Sequence, residues 1–243
     1  MGWHRLDLGQ PASVLIGYTT RVGGCSPAPW DGLNLGLGTG DVAERVVANR
    51  RWLQRAVGMP LHWLRQVHGT AVVVDPEGEP EADAACTARP GQALAVLGAD
   101  CLPVMCWSRS GDWVGAAHAG WRGLAAGVLP SLLDRAPVTP GRLACWLGPA
   151  IGPAAYEVDE PVRQAFAHWS GPWRQAFRAT RPGHWSMDLK ALARLQLHQL
   201  GVGRVLGGTL CTFQSPERFF SHRRDGRTGR QAAVIGLRLI QPG

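Results

Sequence analysis

Apolar residues fall along this chain in short runs separated by glycine, proline and charged positions, with no single dominant period. The runs Val14 to Tyr18, Ala71 to Val74, Ala93 to Leu97, Leu102 to Trp107, Trp113 to Ala117, Leu143 to Leu147 and Ala232 to Leu239 predict strands, and Val205 to Leu210 predicts another. Helical spacing occupies Val42 to Val57, Trp121 to Ala136, Glu160 to Trp169 and Leu189 to Leu200. Asp41 stands where an N-cap of the first helix is expected. Asp188 precedes the last helix and Gly201 is placed to stop it. Strands and helices mix without strict alternation, which predicts an α+β fold, a mixed β-sheet sandwich flanked by helices. The Gly/Pro-rich stretches Gly23 to Gly40 and Pro76 to Pro90 are short, and no repeat is visible, so one domain is expected over 1–243.

Composition narrows the classes. The chain has 243 residues, 45% hydrophobic and 18% charged, which suits a buried core and argues against disorder. No stretch approaches the ~20 apolar residues of a membrane span, so no membrane partner is expected. The net charge of +7 reflects abundant arginine, with Lys190 the sole lysine. The basic residues are scattered apart from Arg223, Arg224, Arg227 and Arg230, a cluster too small for a nucleic-acid track, so no nucleic-acid partner is expected. The N-terminal segment has no apolar stretch after a basic start, and the six cysteines include no Cys-x-x-Cys pair. Reduced thiols and a cytoplasmic location follow as expectations.

Three segments place reactive side chains where an apolar run meets a glycine-rich turn: Gln66 to Gly69, Ala99 to Pro103 and His118 to Gly123. His68, Cys101 and His118 offer two imidazoles and a thiolate, a donor set suited to Zn²⁺ with a fourth position open. Their spacing fits no local metal motif, and ordinary buried side chains are the alternative. A second chemistry uses the same atoms: Cys101 as nucleophile, His118 as base, and Asp100 or another polar group orienting the imidazole. Thr20 to Ser26 puts Arg21 before Gly23 and Gly24, a turn suited to an anion, and Arg122 is a second candidate clamp. Phe219 to Gly226 reads as a surface turn whose Arg–Asp contacts brace the last strand.

Together these segments resemble the laccase-domain family, also called the multicopper polyphenol oxidase or YfiH-like family. The resemblance rests on Thr20 to Gly24 with Ser26, Gly32 to Gly36, Gln66 to Gly69, Ala82 to Ala84, Ala99 to Pro103 and His118 to Gly123. It continues through Leu147 to Gly152, Tyr156 to Val158, Asp188-Leu189, Phe220 to Asp225 and Thr228 to Arg230. It implies a fold related to Cys–His hydrolases and a zinc site, or copper under the older label, with ligands His68, Cys101 and His118. Those three and Arg21 are then the catalytic candidates, and Arg21, Asn34 and Arg122 the substrate-binding ones. The implied activity is phosphorolysis of adenosine, inosine, guanosine and methylthioadenosine, with purine nucleosides and phosphate as partners, plus deamination of adenosine. Some members are linked instead to amidase editing of a UDP-muramoyl precursor. Phenol oxidation fits less well, because the eight histidines form no His-x-His pairs. His222 replaces a tyrosine common in the family.

Overall fold

The apolar runs lack polar alternation because the strands they form are covered on both faces. A computed structural model describes residues 2–239. One mixed sheet has the order β1 (Trp3–Arg5), β2 (Val14–Thr19), β14 (Gln231–Leu237), β6 (Gln92–Gly98), β3 (Leu61–His62). A second mixed sheet runs β13 (Arg204–Gly207), β9 (Leu143–Leu147), β7 (Leu102–Ser108), β8 (Val114–Ala119), β5 (Ala84–Thr87), β4 (Val72–Val74). A small antiparallel sheet joins β10 (Glu157–Asp159), β12 (His184–Met187) and β11 (Phe177–Arg181).

The two large sheets stack face to face. Ile16, Leu94, Val96 and Ile235 from the first meet Met105, Trp107, Val114 and Trp146 from the second. The outer face of the first sheet, with Leu15, Ala93 and Val234, is closed by Leu53 and Val57 of α1 (Ala43–Val57). The outer face of the second, with Val104, Cys145 and Leu147, is closed by three helices. These are α2 (Trp121–Ala126), α3 (Val128–Leu133) and α5 (Leu189–Gln199), with the small sheet beside them. This is the expected α+β sandwich flanked by helices. Each large apolar side chain buried in it contributes about 1.5–3 kcal/mol, so a polar group inside these layers needs a specific partner.

Several boundaries differ from expectation. Asp41 does not cap α1, whose N-cap is Val42; its carboxylate accepts from the Val42 N–H at 2.8 Å and from the Asn34 amide at 3.0 Å. The helix expected over Trp121 to Ala136 is broken at Gly127, which takes a φ of +98°. The helix α4 (Glu160–Gln164) stops short of Trp169. Asp188 caps α5 as expected, accepting from the Lys190 and Ala191 N–H groups. A four-residue helix, α6 (His222–Asp225), and the strands β1, β3, β5 and β10 to β12 were not expected; each is too short to show a period. Among the described residues, no helix is long and apolar enough to cross a membrane.

Three arginines of the cluster near the C-terminus, Arg223, Arg224 and Arg227, are engaged internally. Arg224 donates to Thr212 O, Phe213 O and Phe219 O and pairs with Asp225, bracing the turn before β14. Arg223 donates to Glu157 O, and Arg227 stacks on Trp30.

Candidate metal centre

The antiparallel pairing of β7 and β8 sets Pro103 opposite His118 and Leu102 opposite Ala119. Cys101, just before β7, therefore lies across from the end of β8. His68 arrives from the loop between β3 and β4 with a φ of +63°, a left-handed conformation uncommon for a side chain with a Cβ. The donor atoms of His68, Cys101 and His118 lie within 4.8 Å of one another, and Cys101 Sγ is 3.7 Å from His68 Nε2.

Asp83 holds this arrangement together. It is fully buried, immediately before β5. Its carboxylate accepts from the backbone N–H groups of Val67 at 3.1 Å, His68 at 2.9 Å and Gly69 at 2.6 Å. It also accepts from His118 Nδ1 at 2.8 Å. One carboxylate thus ties the loop of one ligand to the ring of another. Because an ionised carboxylate only accepts, Nδ1 of His118 carries a proton, and the neutral form of the ring then presents Nε2 as the ligand. Asp83 carried no predicted role. The available signal was a lone carboxylate inside the apolar run Ala82 to Cys86.

Asp100, the expected orienting group, does not touch His118. It has a φ of +97°, and its carboxylate accepts from Thr212 Oγ1 at 2.6 Å and the Arg223 N–H at 2.7 Å. Its carbonyl accepts from Ile151 N–H at 3.0 Å. These bonds hold a backbone conformation costing about 1–3 kcal/mol and fix the direction in which Cys101 leaves the turn.

Gly120 leaves room for the cluster. A Cβ there would sit 2.9 Å from His68 Cδ2 and 3.1 Å from Cys101 Sγ. Burial alone would raise the Cys101 thiol, but the His118 and His68 imidazoles beside it bring it down to about 6. Burial opposes protonation of His118, but the Cys101 and Asp83 charges push it up to about 9. For Asp83 burial works upward, and the hydrogen bonds from His118 and Gly69 outweigh it, holding the carboxyl below its usual range. A thiolate and two imidazoles, one oriented by a buried carboxylate, can hold a metal ion. Donors around a tetrahedral ion of this class lie about 3.5 Å apart, which the Sγ–Nε2 separation matches.

The cluster opens into a cavity of about 780 Å³, which is also lined by Arg122 and His222. His222 Nδ1 lies 2.7 Å from Gly226 O. Arg122 is exposed, its guanidinium 4.3 Å from the centroid of the Trp121 ring. Two of the expected substrate contacts are not in this cavity. Arg21 lines a separate surface depression, pairs with Asp31 at 2.8 Å, donates to Pro216 O and lies over Phe220. Asn34 is fully buried, with its amide nitrogen on Thr39 and Asp41 and its oxygen on the N–H groups of Gly36 and Arg230. It positions the cavity wall instead of facing a ligand.

Residues 15–238 match the family described as multi-copper polyphenol oxidoreductase laccase. The chain belongs to this family. It is 47% identical to a purine nucleoside phosphorylase of Pseudomonas aeruginosa over 97% of this chain and 98% of that protein. It is 43% identical to purine nucleoside phosphorylase YfiH of Escherichia coli, over 94% of this chain and 96% of that one. Among solved structures, a Neisseria meningitidis protein superposes with a TM-score of 0.95 at 44% identity, covering 98% of this chain and all of that one. YlmD from Geobacillus stearothermophilus superposes with a TM-score of 0.90 at 36% identity, covering 98% and 97%.

Proposed function

We propose that this protein is a zinc-dependent purine nucleoside phosphorylase that also deaminates adenosine more slowly. The observation that carries the reading is a thiolate and two imidazoles meeting on the wall of a cavity of about 780 Å³, a size suited to a nucleoside and phosphate. The names of the two relatives support the reaction class. His68, Cys101 and His118 would hold the ion, and zinc when bound supplies Lewis acidity and activates water near neutral pH.

The remaining work falls to the chain's own groups. Phosphorolysis joins a phosphate oxygen to C1′ of the ribose while the C1′–N9 bond breaks, releasing ribose 1-phosphate and the free purine. The substrates are adenosine, inosine and guanosine, and methylthioadenosine, which gives 5-methylthioribose 1-phosphate in place of ribose 1-phosphate. The anion must be held against its own hydration, and the exposed guanidinium of Arg122 on the cavity wall is suited to that. Asp83 keeps His118 Nε2 aimed at the centre through the bond to Nδ1.

A second reading is favoured by one observation. Cys101, His118 and Asp83 also stand in the order nucleophile, base and orienting carboxylate, as for cleavage of a UDP-muramoyl amide. A thiolate engaged by a metal is a poor nucleophile, so the two readings exclude each other at Cys101.

Product analysis separates them. Incubated with adenosine and phosphate, the protein is expected to release adenine and ribose 1-phosphate, with a slower release of inosine. Omitting phosphate should stop adenine release and leave inosine formation. Cleavage of UDP-muramoyl-serine with no nucleoside consumed would overturn the phosphorylase reading.

A further inference from the structure

We infer that Arg230 holds the phosphate in this cavity, its free guanidinium edge and Arg122 together forming an inorganic-phosphate subsite. The inference rests on the phosphorylase reading for the identity of the anion.

The arginines lining the cavity differ in what already engages them. Arg50, Arg65, Arg122 and Arg230 all reach its wall. The guanidinium of Arg50 is closed in a two-bond fork on Glu79, at 2.9 and 3.2 Å, and its Nε donates to Leu35 O. Arg65 pairs with Glu81 at 2.6 Å. A further anion gains little from cations already neutralised by carboxylates. Arg122 makes no hydrogen bond or ion pair among the described residues, so its charge is available to an anion, with a smaller contribution than a half-buried guanidinium would make.

Arg230 is the different case. Its side chain is half-buried and pairs with no carboxylate at hydrogen-bond distance among the described residues, the charges of Cys101 and Asp100 acting on it only from further off. Nη1 donates to Thr228 O at 3.0 Å and Gly229 O at 2.9 Å, which fixes the plane of the guanidinium. Nε and Nη2 have no acceptor among the described residues, and neither is sealed off as a buried orphan. Two adjacent donors of a clamped guanidinium are thus left over beside the cavity, the pattern that binds an oxyanion through two parallel bonds.

The surroundings hold that pose. The Asn34 oxygen accepts from both Gly36 N–H and Arg230 N–H, each at 3.0 Å, and Leu35 N–H bonds Arg230 O. The Arg230 stem passes directly over Gly36, where a Cβ would lie 2.7 Å from Arg230 Cγ. Gly36 has a φ of −95°, open to alanine, so its lack of a side chain serves space and not backbone conformation. The expected role of Asn34 is thereby replaced by a related one: it sets the residue that meets the anion.

The test is calorimetric titration of inorganic phosphate into the zinc-loaded protein, with steady-state kinetics alongside. Losing a two-bond charged contact costs at least tenfold in affinity. Arg230→Gln is expected to weaken phosphate binding at least tenfold and to raise KM for phosphate far more than KM for the nucleoside. If that variant does not fold, Gly36→Ala decides, because it keeps the charge and displaces the stem; the same weakening is expected. Unchanged phosphate affinity in whichever variant is folded, or no phosphate binding by the wild type, overturns the inference. A wild type that binds phosphate through Arg230 yet splits no nucleoside would keep the subsite and reject the phosphorylase reading.

Discussion

Replacing Cys101 with serine is expected to empty the metal centre and reduce phosphorolysis about a thousandfold, while the protein stays folded. The thiolate is the only sulfur in the cluster, and it lies among two imidazoles whose proximity favours its ionised form. A serine hydroxyl at the same position stays protonated at neutral pH and is a far poorer ligand. Losing the ion removes several kcal/mol of charge stabilisation, and about 4 kcal/mol corresponds to a factor of a thousand in rate. The side chain is only half-buried and the substitution nearly isosteric, so the metal-free fold should lose no more than about 1 kcal/mol. Elemental analysis, activity and chemical denaturation of the same preparation check all three statements. Undiminished metal content in folded Cys101→Ser protein would remove Cys101 from the ligand set.

Asp83→Asn should be damaging in a different way, lowering stability and metal affinity together. The native carboxylate accepts four hydrogen bonds, three from backbone N–H groups and one from His118. An asparagine offers one acceptor oxygen, and its amide nitrogen must face a donor. At least one buried N–H then loses its partner, at about 1–3 kcal/mol, and the charge that steadies the His118 ring is gone. Disturbing a carboxylate behind a ligating histidine typically costs 10–100-fold in metal affinity. Denaturant unfolding of metal-free protein and competitive chelator titration of loaded protein read the two effects separately. A variant with weakened metal binding but native stability would mean that the backbone bonds to Asp83 carry little of the fold.

The central strands were legible because burial on both faces turns a strand into an uninterrupted apolar run, as in Val-Met-Cys-Trp of β7. The short strands were not. In β5, Ala-Ala-Cys-Thr has no bulky alternation, and β11 is mostly exposed polar residues held in place by β12. The break at Gly127 was hidden because the apolar spacing carries on through it into α3.

At the site, His68, Cys101 and His118 could be found as reactive residues where apolar runs meet glycine-rich turns, and the resemblance grouped them. What joins them could not be found that way. Asp83 is 15 residues from His68 and 35 from His118, and the pairing of β5 with β8 on one side and β4 on the other brings its carboxylate to both. Arg21 shows the converse. Its glycine-rich turn has the local chemistry of an anion site, but Asp31 lies ten residues on, and the Ser26–Gly32 bridge folds the segment back so that Asp31 meets the guanidinium. Arg230 sits in a matched segment that named no role for it. Its relevance comes from which of its donors the neighbouring carbonyls leave over, which is a property of the folded wall.

Under the proposed function, phosphorolysis depends on a metal held by His68, Cys101 and His118. That dependence is tested most directly by stripping the protein with a chelator, adding back zinc in fractions of an equivalent, and measuring ribose 1-phosphate released from inosine. The rate should start near zero, rise linearly and level off at one zinc per chain. A full rate in the stripped protein, unchanged by added zinc, would contradict it.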